Sequence, residues 1–436
     1  MNDYFIERFG ALNMSRIESI TITPIAFRDP PLLNVYGVHE PWALRTIIEV
    51  HTESGHYGLG ETYGDTQTIQ QLRSVAPALK GLDIYQLNSI RQRIQDTIEL
   101  PDPDAGLEIA PGTLGATTVP RIFSAFEVAC LDAMGKITGR PVYDLLGGKV
   151  RDRVDYSAYL FYKFGRHQFT DDPWVDRWGE ALTPDQIVQQ ARKMIDEYGF
   201  RSIKLKAGVF EPAQEIEALK ALRAAFPDHP LRIDPNGGWS VETTLSLLSE
   251  LDTELLQYLE DPAPGQSGMS QVSAATPIPL ATNMCVIGDF HLRSAMEQNA
   301  VQVILSDHHY WGGLKATQDL AYFCKVWNIG VSMHSNSHLG ISLMAMTHAA
   351  ATIENLSYAC DTHYPWQDEE VIKGGKITFT EGAVEVTDAP GLGVALDQTA
   401  LAQLAHNYDT CGIRARDDVS EMRKYIPDWK GTVPRF

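Results

Sequence analysis

Between residues 149 and 395 short apolar runs alternate with helix-patterned stretches, and this alternation restricts the possible folds more than any other feature. The runs are VDYSAYLF, SIKLK, LRID, LQYLE, IPLAT, VQVILSD, GVSMH and LSYACD. Helical spacing fills 183–198, 212–226, 241–250, 313–327 and 340–352 between them. Strands too short and apolar to leave a wet face, each followed by a helix, form a parallel sheet covered by helices. Eight such units in about 250 residues read as a (β/α)8-type barrel. The stretch before it differs. Residues 17–28 and 44–52 are rich in Ile, Thr and Val, GHYGLGETYG (55–64) reads as a turn and third strand, and 67–79, 86–98 and 120–137 as helices. The expectation is an N-terminal α+β domain over 1–148 and a barrel over 149–395. The segment 396–436 begins as a helix and ends irregular, basic and aromatic.

A barrel of this kind gathers the C-terminal ends of its strands at one mouth, where its chemistry resides. Polar groups stand at those ends. From Lys204 through Asp234, Glu260, Asn283, Asp307, His334 and His363 the successive spacings are 30, 26, 23, 24, 27 and 29 residues, one unit per step. Lys204 and Lys206 alternate on one strand. An arbitrary KxK is more often a solvated face, but a covered strand has none, and two inward lysines are costly unless anions meet them. Asp234, Glu260 and Asn283 taken singly read as turn residues. Together they offer hard oxygen ligands from three successive strands, a donor set suited to Mg²⁺. Asn236 and Asp261 stay ambiguous between turn and site. A lone His334 is more often a packed core histidine, but Asp307 on the neighbouring strand end would fix its tautomer and raise its basicity. His308, His309 and His338 have no such partner in sequence and read as loop or helix-start residues. His363 is balanced between packing and ligand contact. HSNSH (334–338) has metal-pair spacing, but the strand end puts His334 in the mouth and His338 in the next helix. GLG at 58–60 lacks the context of a dinucleotide loop.

Lys206 and His334 would then face each other across a carboxylate held by the metal and Lys204, with Lys204 lowering the pKa of its neighbour. That arrangement suits proton abstraction beside a carboxylate, the metal stabilising the resulting ene-diolate. With 36 basic and 56 acidic residues the net charge is −20, which disfavours nucleic acid and anionic lipid as partners. The five cysteines are scattered and unpaired in sequence, and neither a signal peptide nor a spanning segment is evident, so a cytoplasmic protein is expected.

The motifs KLK (204–206), DPNGGW (234–239), EDP (260–262), ATNM (281–284), SDHHYW (306–311), HSNSHLGISL (334–343), DTHYPWQ (361–367), PGLGV (390–394) and RDD…IPDW (416–429) occur in order at barrel spacing. In this set the chain resembles the enolase superfamily, and within it the glucarate dehydratase group. The resemblance implies a (β/α)7β barrel under an N-terminal α+β cap that the C-terminal segment rejoins. It implies Mg²⁺ on Asp234, Glu260 and Asn283, with Lys206 beside Lys204 and His334 paired with Asp307 as opposed bases. It further implies substrate contacts from Asn34, His39, Thr113, Tyr159, Asn236, His363 and Arg416. The activity implied is dehydration of an acid sugar, D-glucarate first, by loss of the C5 proton and the 4-hydroxyl to give 5-keto-4-deoxyglucarate. Another hexarate such as galactarate, or C5 epimerisation toward L-idarate, is the alternative within that chemistry. A Schiff-base aldolase using Lys206 and a non-catalytic sugar-acid sensor are alternatives of other classes. The expected partner is a small acid sugar, and a homo-oligomer is expected.

Overall fold

The computed structural model describes residues 14–99, 115–249, 251–252 and 254–436. Its N-terminal part is an antiparallel sheet of β1 (Ile17–Arg28), β2 (Trp42–Thr52) and β3 (Tyr57–Tyr63), in that order. Helices Thr66–Leu79 and Leu87–Thr97 follow, then the long helix Thr118–Thr138. The last is buried on nearly all sides, because it lies between the sheet and the barrel. The glycines of the GLG motif now have a packing reason. A Cβ on Gly58 or Gly60 would overlap the backbone carbonyls of Ala129 and Ala125 in that helix.

The barrel starts with two short strands where the sequence suggested one. β4 (Arg153–Asp155) pairs antiparallel with β12 (Ala383–Glu385), outside the main sheet. β5 (Ala158–Phe161) opens the parallel sheet, which continues through β6 (Ile203–Lys206), β7 (Leu231–Asp234), β8 (Tyr258–Glu260), β9 (Leu280–Thr282), β10 (Val303–Ser306) and β11 (Gly330–Met333). The eighth run makes no continuous strand. It still joins the two open edges: Asp361 N–H donates to Met333 O (2.8 Å), and Ser157 N–H to Cys360 O (2.9 Å). No helix follows it in the ring, so the (β/α)7β form describes the barrel better than eight equal units. Beyond the eighth run the stretch KITFTEGAVEVTD contributes one strand, β12.

Local sequence sets the helix ends. Thr183 and Gln186 form a reciprocal capping box, Pro184 occupies the first turn, and Gly199 (φ 72°) closes the helix in the left-handed region. Helices Leu314–Trp327 and Gly340–Thr352 are among the barrel helices that carry no side-chain cap of their own. Carboxylates of the N-terminal part supply the missing acceptors. Glu127 accepts from Leu314 N–H (2.6 Å) and Lys315 N–H (3.2 Å). Glu61 accepts from Leu339 N–H and Ser342 N–H, both at 2.9 Å. Asp132 ties Leu59 N–H of β3 to Leu392 N–H beyond the barrel. Burial pushes the Glu127 carboxyl up to about 7. Burial also works to raise Glu61, but the Arg45 guanidinium and the two amides outweigh it and hold the group below the usual carboxylate range.

The C-terminal segment returns over the mouth. Helix Gln398–Thr410 packs on β1, Asn34 Nδ2 donates to Asp418 (2.7 Å), and the Trp429 indole donates to Tyr36 O (2.6 Å). Among the described residues no helix is long and apolar enough to cross a membrane.

Candidate active site

Ile203 and Leu205 alternate with Lys204 and Lys206 along β6, so the two ammonium groups share the inner face of the barrel. All four residues are buried. Lys204 Nζ sits 2.6 Å from both Glu260 Oε2 and Asp361 Oδ2, over the Tyr159 ring at 4.6 Å. Burial alone would lower its pKa, but Asp361, Glu260 and Asp234 raise it well above the ordinary lysine value. The lysine expected to share a substrate carboxylate is instead enclosed between two carboxylates. Asp361, left out of the expected site, is its partner. Lys206 Nζ donates to Asp234 Oδ2 (2.7 Å) and to Asn236 Oδ1.

Asp234 ends β7, Glu260 ends β8, and Asn283 follows β9 directly. Asp234 Oδ1 accepts the Asn236 amide (2.9 Å), and Tyr159 Oη donates to Oδ2 (3.2 Å). Asn236 and Asp261 both adopt positive φ (57° and 40°), which turns each loop just past a strand end. Asn236 thereby reaches Lys206. Asp261 faces away, accepting from the Thr282 hydroxyl and the Asn283 amide. The earlier ambiguity resolves into one cavity residue and one loop anchor.

Two buried oxygens, Glu260 Oε1 and Asn283 Oδ1, have no hydrogen-bond donor among the described residues. Asp234, Glu260 and Asp361 share Lys204 and Lys206 as their ion-pair partners among the described residues, leaving one uncompensated negative charge if all are ionised. Burial together with Asp234 and Asp361 drives the Glu260 carboxyl well above its usual range. Buried charge of this kind is stable only when paired or coordinated. A divalent cation held by oxygen ligands fits both the orphaned atoms and the charge.

Across the mouth His334, just past β11, pairs through Nδ1 with Asp307 Oδ2 at 2.9 Å. Asp307 follows β10 and caps the short helix His308–Trp311 through the His309 amide. One expectation needs correction. His309 does have a carboxylate partner: its Nδ1 lies 2.7 Å from Asp307 Oδ1. His338 Nε2 is 3.7 Å from Asp307 Oδ2. The start of that short helix folds the side chain two positions after Asp307 back onto it, which strand periodicity does not foretell. Burial opposes ionisation of Asp307, yet His309, His334 and His338 hold its carboxyl well below the ordinary value.

Lys206, Asn236, Asn283 and His334 line a cavity from the barrel side. Asn34, His39 and Arg416 close it from the N- and C-terminal segments, and Tyr159 and His363 form a further wall with ring centroids 4.9 Å apart. Phe161 and Asn336 also line it and carried no sequence signal. Thr113 lies outside the described residues. Arg416 donates from Nε to Asp418 Oδ1 (2.9 Å) and from Nη2 to Asp418 Oδ2 (2.6 Å) and His39 Nε2 (2.8 Å). Its Nη1 has a weaker contact, 3.5 Å from Asn336 Oδ1.

Residues 186–400 match the family described as enolase C-terminal domain-like. The chain is 50% identical over 427 residues to a probable glucarate dehydratase of Streptomyces coelicolor, covering 96% of this chain and 99% of that one. The chain belongs to the enolase superfamily. A D-xylonate dehydratase of Haloferax volcanii is 27% identical over 83% of this chain and 84% of its own. The crystal structure of an enolase-superfamily protein from Pseudomonas fluorescens, with bound magnesium, potassium and tartrate, superposes with a TM-score of 0.94. It is 54% identical, covering 97% and 99% of the two chains. Another from Mycobacterium smegmatis, complexed with tartrate, gives 0.91 at 53% identity, covering 97% and 98%.

Proposed function

We propose that this chain is a Mg²⁺-dependent acid-sugar dehydratase acting on D-glucarate. The observation that carries the reading is the placement of Lys206 and the His334–Asp307 pair on one cavity, separated around the ring by β7 to β9 and their three oxygen donors. The likeness to a probable glucarate dehydratase and to tartrate-bound structures supports the substrate class. Scattered free cysteines support a cytoplasmic setting.

Asp234, Glu260 and Asn283 would hold Mg²⁺, which when bound neutralises a substrate carboxylate and so lowers the cost of removing the proton beside it. Asp307 keeps the Nδ1 proton of His334 directed at itself, leaving Nε2 as the base. His334 takes the C5 proton, and the electron pair of that C–H bond delocalises toward the adjacent carboxylate. The pair then forms the C4–C5 double bond as the C4–O bond breaks. His334 returns its proton to the departing 4-hydroxyl, which leaves as water, and the enol becomes the 5-keto product. Lys206 reaches the C5 proton of the epimer, L-idarate, from the other side. The test is to follow a panel of hexarates and hexonates by NMR with the purified protein and Mg²⁺. D-glucarate should yield 5-keto-4-deoxyglucarate. Faster turnover of galactarate would keep the chemistry and change the substrate, and no turnover of any hexarate would overturn the reading.

Recognition of a second carboxylate needs a cation away from the metal, and Arg416 is positioned for it. Asp418 and His39 fix two of its nitrogens, so Nη1 is the one left to donate toward a ligand. Arg416→Ala should cost roughly 1.5–3 kcal/mol of transition-state binding on a hexarate, one charge-assisted contact. The matching hexonate should lose far less. Equal losses in kcat/KM on both acids would make Arg416 a tie between the tail and His39 only.

A further inference from the structure

Asp307 serves two imidazoles, and the second leads out of the barrel. His309 Nδ1 meets Asp307 Oδ1 at 2.7 Å, while its Nε2 lies 2.9 Å from Nη2 of Arg45, a residue of β2 in the N-terminal sheet. The Arg45 Nε donates to Glu61 Oε1 of β3 at 2.8 Å, and that pair is almost completely enclosed. A guanidinium has no lone pair, so Arg45 must donate and His309 Nε2 must accept. A neutral His309 therefore carries its proton on Nδ1, where it donates to Asp307. Ser342 Oγ lies 3.0 Å from the same Nε2 and accepts from Arg45 Nη2 at 3.3 Å. With Oδ1 engaged in this way, Oδ2 is the oxygen left for the Nδ1 proton of His334.

The carboxylate of Asp307 and ring nitrogens of His309 and His338 lie within 4.8 Å of one another, a spacing that would admit a cation. The Arg45 guanidinium already occupies the lone pair of His309 Nε2 and brings a positive charge to it. Asp307, His309 and Arg45 thus form a hydrogen-bond chain, with His338 Nε2 beside it at 3.7 Å from Asp307 Oδ2.

We propose that Arg45 and His309 are positioning residues that set the tautomer and orientation of His334 through Asp307, so that the general base is aligned only when the N-terminal sheet is docked on the barrel. The proposal rests on the reading of His334 as the base. Arg45 is unsuited to the test, because its loss would leave Glu61 a buried unpaired carboxylate. His309 offers a cleaner pair. His309→Asn places an amide N–H where Nδ1 stood and keeps a donor for Asp307. His309→Gln places its amide where Nε2 stood, keeping an acceptor for Arg45 while depriving Asp307 of a donor. His309→Gln should lose about tenfold or more in kcat on D-glucarate with KM little changed. It should still exchange the C5 proton of L-idarate through Lys206 at the wild-type rate. His309→Asn should retain most of the glucarate activity. Equal activity of the two variants, or parallel loss of glucarate and idarate exchange in His309→Gln, would overturn the proposal. A readout independent of turnover separates it from the functional reading. In ¹⁵N-histidine spectra of the wild-type protein His309 and His334 should both be Nδ1-protonated tautomers, and His334 should lose that single state in His309→Gln. An Nε2-protonated His309 would overturn the chain whatever the substrate proves to be.

Discussion

Substituting His334 by Asn should abolish both dehydration of D-glucarate and exchange of its C5 proton in D₂O, while exchange of the L-idarate C5 proton continues. The asymmetry follows from the site. His334 and Lys206 reach the same cavity from strand ends separated by the three oxygen donors, and in the proposed mechanism each addresses one face of the reacting carbon. Asn keeps a polar side chain near Asp307 but cannot carry a proton at Nε2. General acid–base catalysis by a positioned side chain contributes roughly 10²–10⁴-fold, and in the proposed mechanism His334 acts twice, first as base and then as acid to the leaving hydroxyl. The loss on D-glucarate should therefore be at the upper end of that range. Lys206→Ala should give the converse, loss of idarate exchange, though it also releases Asp234 from an ion pair of 2.7 Å. NMR of deuterium incorporation is the informative measurement, because it separates proton abstraction from elimination. Glucarate exchange by His334→Asn near the wild-type rate would make His334 a packed core histidine held by Asp307 and nothing more.

Removal of the metal should be equally severe. Chelation should abolish turnover and Mg²⁺ should restore it. Among the three oxygen donors, Asn283 gives the clearest variant. Asp234 also pairs with Lys206, and Glu260 with Lys204, so replacing either disturbs a lysine as well. The Asn283 side-chain oxygen has no donor among the described residues, and the backbone amide that anchors its loop to Asp261 survives substitution. Asn283→Ala should therefore fold like the parent but lose the rise in thermal midpoint that Mg²⁺ produces, since a ligand that binds only the folded state stabilises by RT ln(1 + [L]/Kd). Full turnover in excess chelator, or an undiminished Mg²⁺-induced shift in Asn283→Ala, would remove these residues from the metal site.

The elements and the chemical types at the strand ends were legible because their signals are local. Helix periodicity and caps such as Thr183 with Gln186 are read within a few residues. A covered parallel strand admits Lys204 and Lys206 only if anions face them, so the alternation in KLK already called for an acidic mouth. Even spacing of Asp234, Glu260 and Asn283 along the chain then placed three oxygens on neighbouring strands. The proposed metal ligands and opposed bases rest on this reasoning, with the resemblance adding the contacts in loops.

Only the tertiary structure decided how those groups are shared. Lys204 and Asp361 are 157 positions apart, and Asn34 and Asp418 are 384 apart. No pattern within a segment encodes such pairings, because they depend on how the ring closes and how the tail returns. Local backbone geometry made the other choices. Positive φ turns Asn236 onto Lys206 while Asp261 anchors the next loop, and the turn after Asp307 brings His309 back onto its carboxylate. The capping of barrel helices by Glu61 and Glu127 was likewise invisible in the chain, since the acceptors those amides need come from elements that meet only in the folded protein. Sequence by itself determined which residue types stand at the mouth, through the cost of burying charge on covered strands. Packing determined which charge answers which, because that depends on distances the chain acquires only when the N-terminal sheet, the barrel and the returning tail are together.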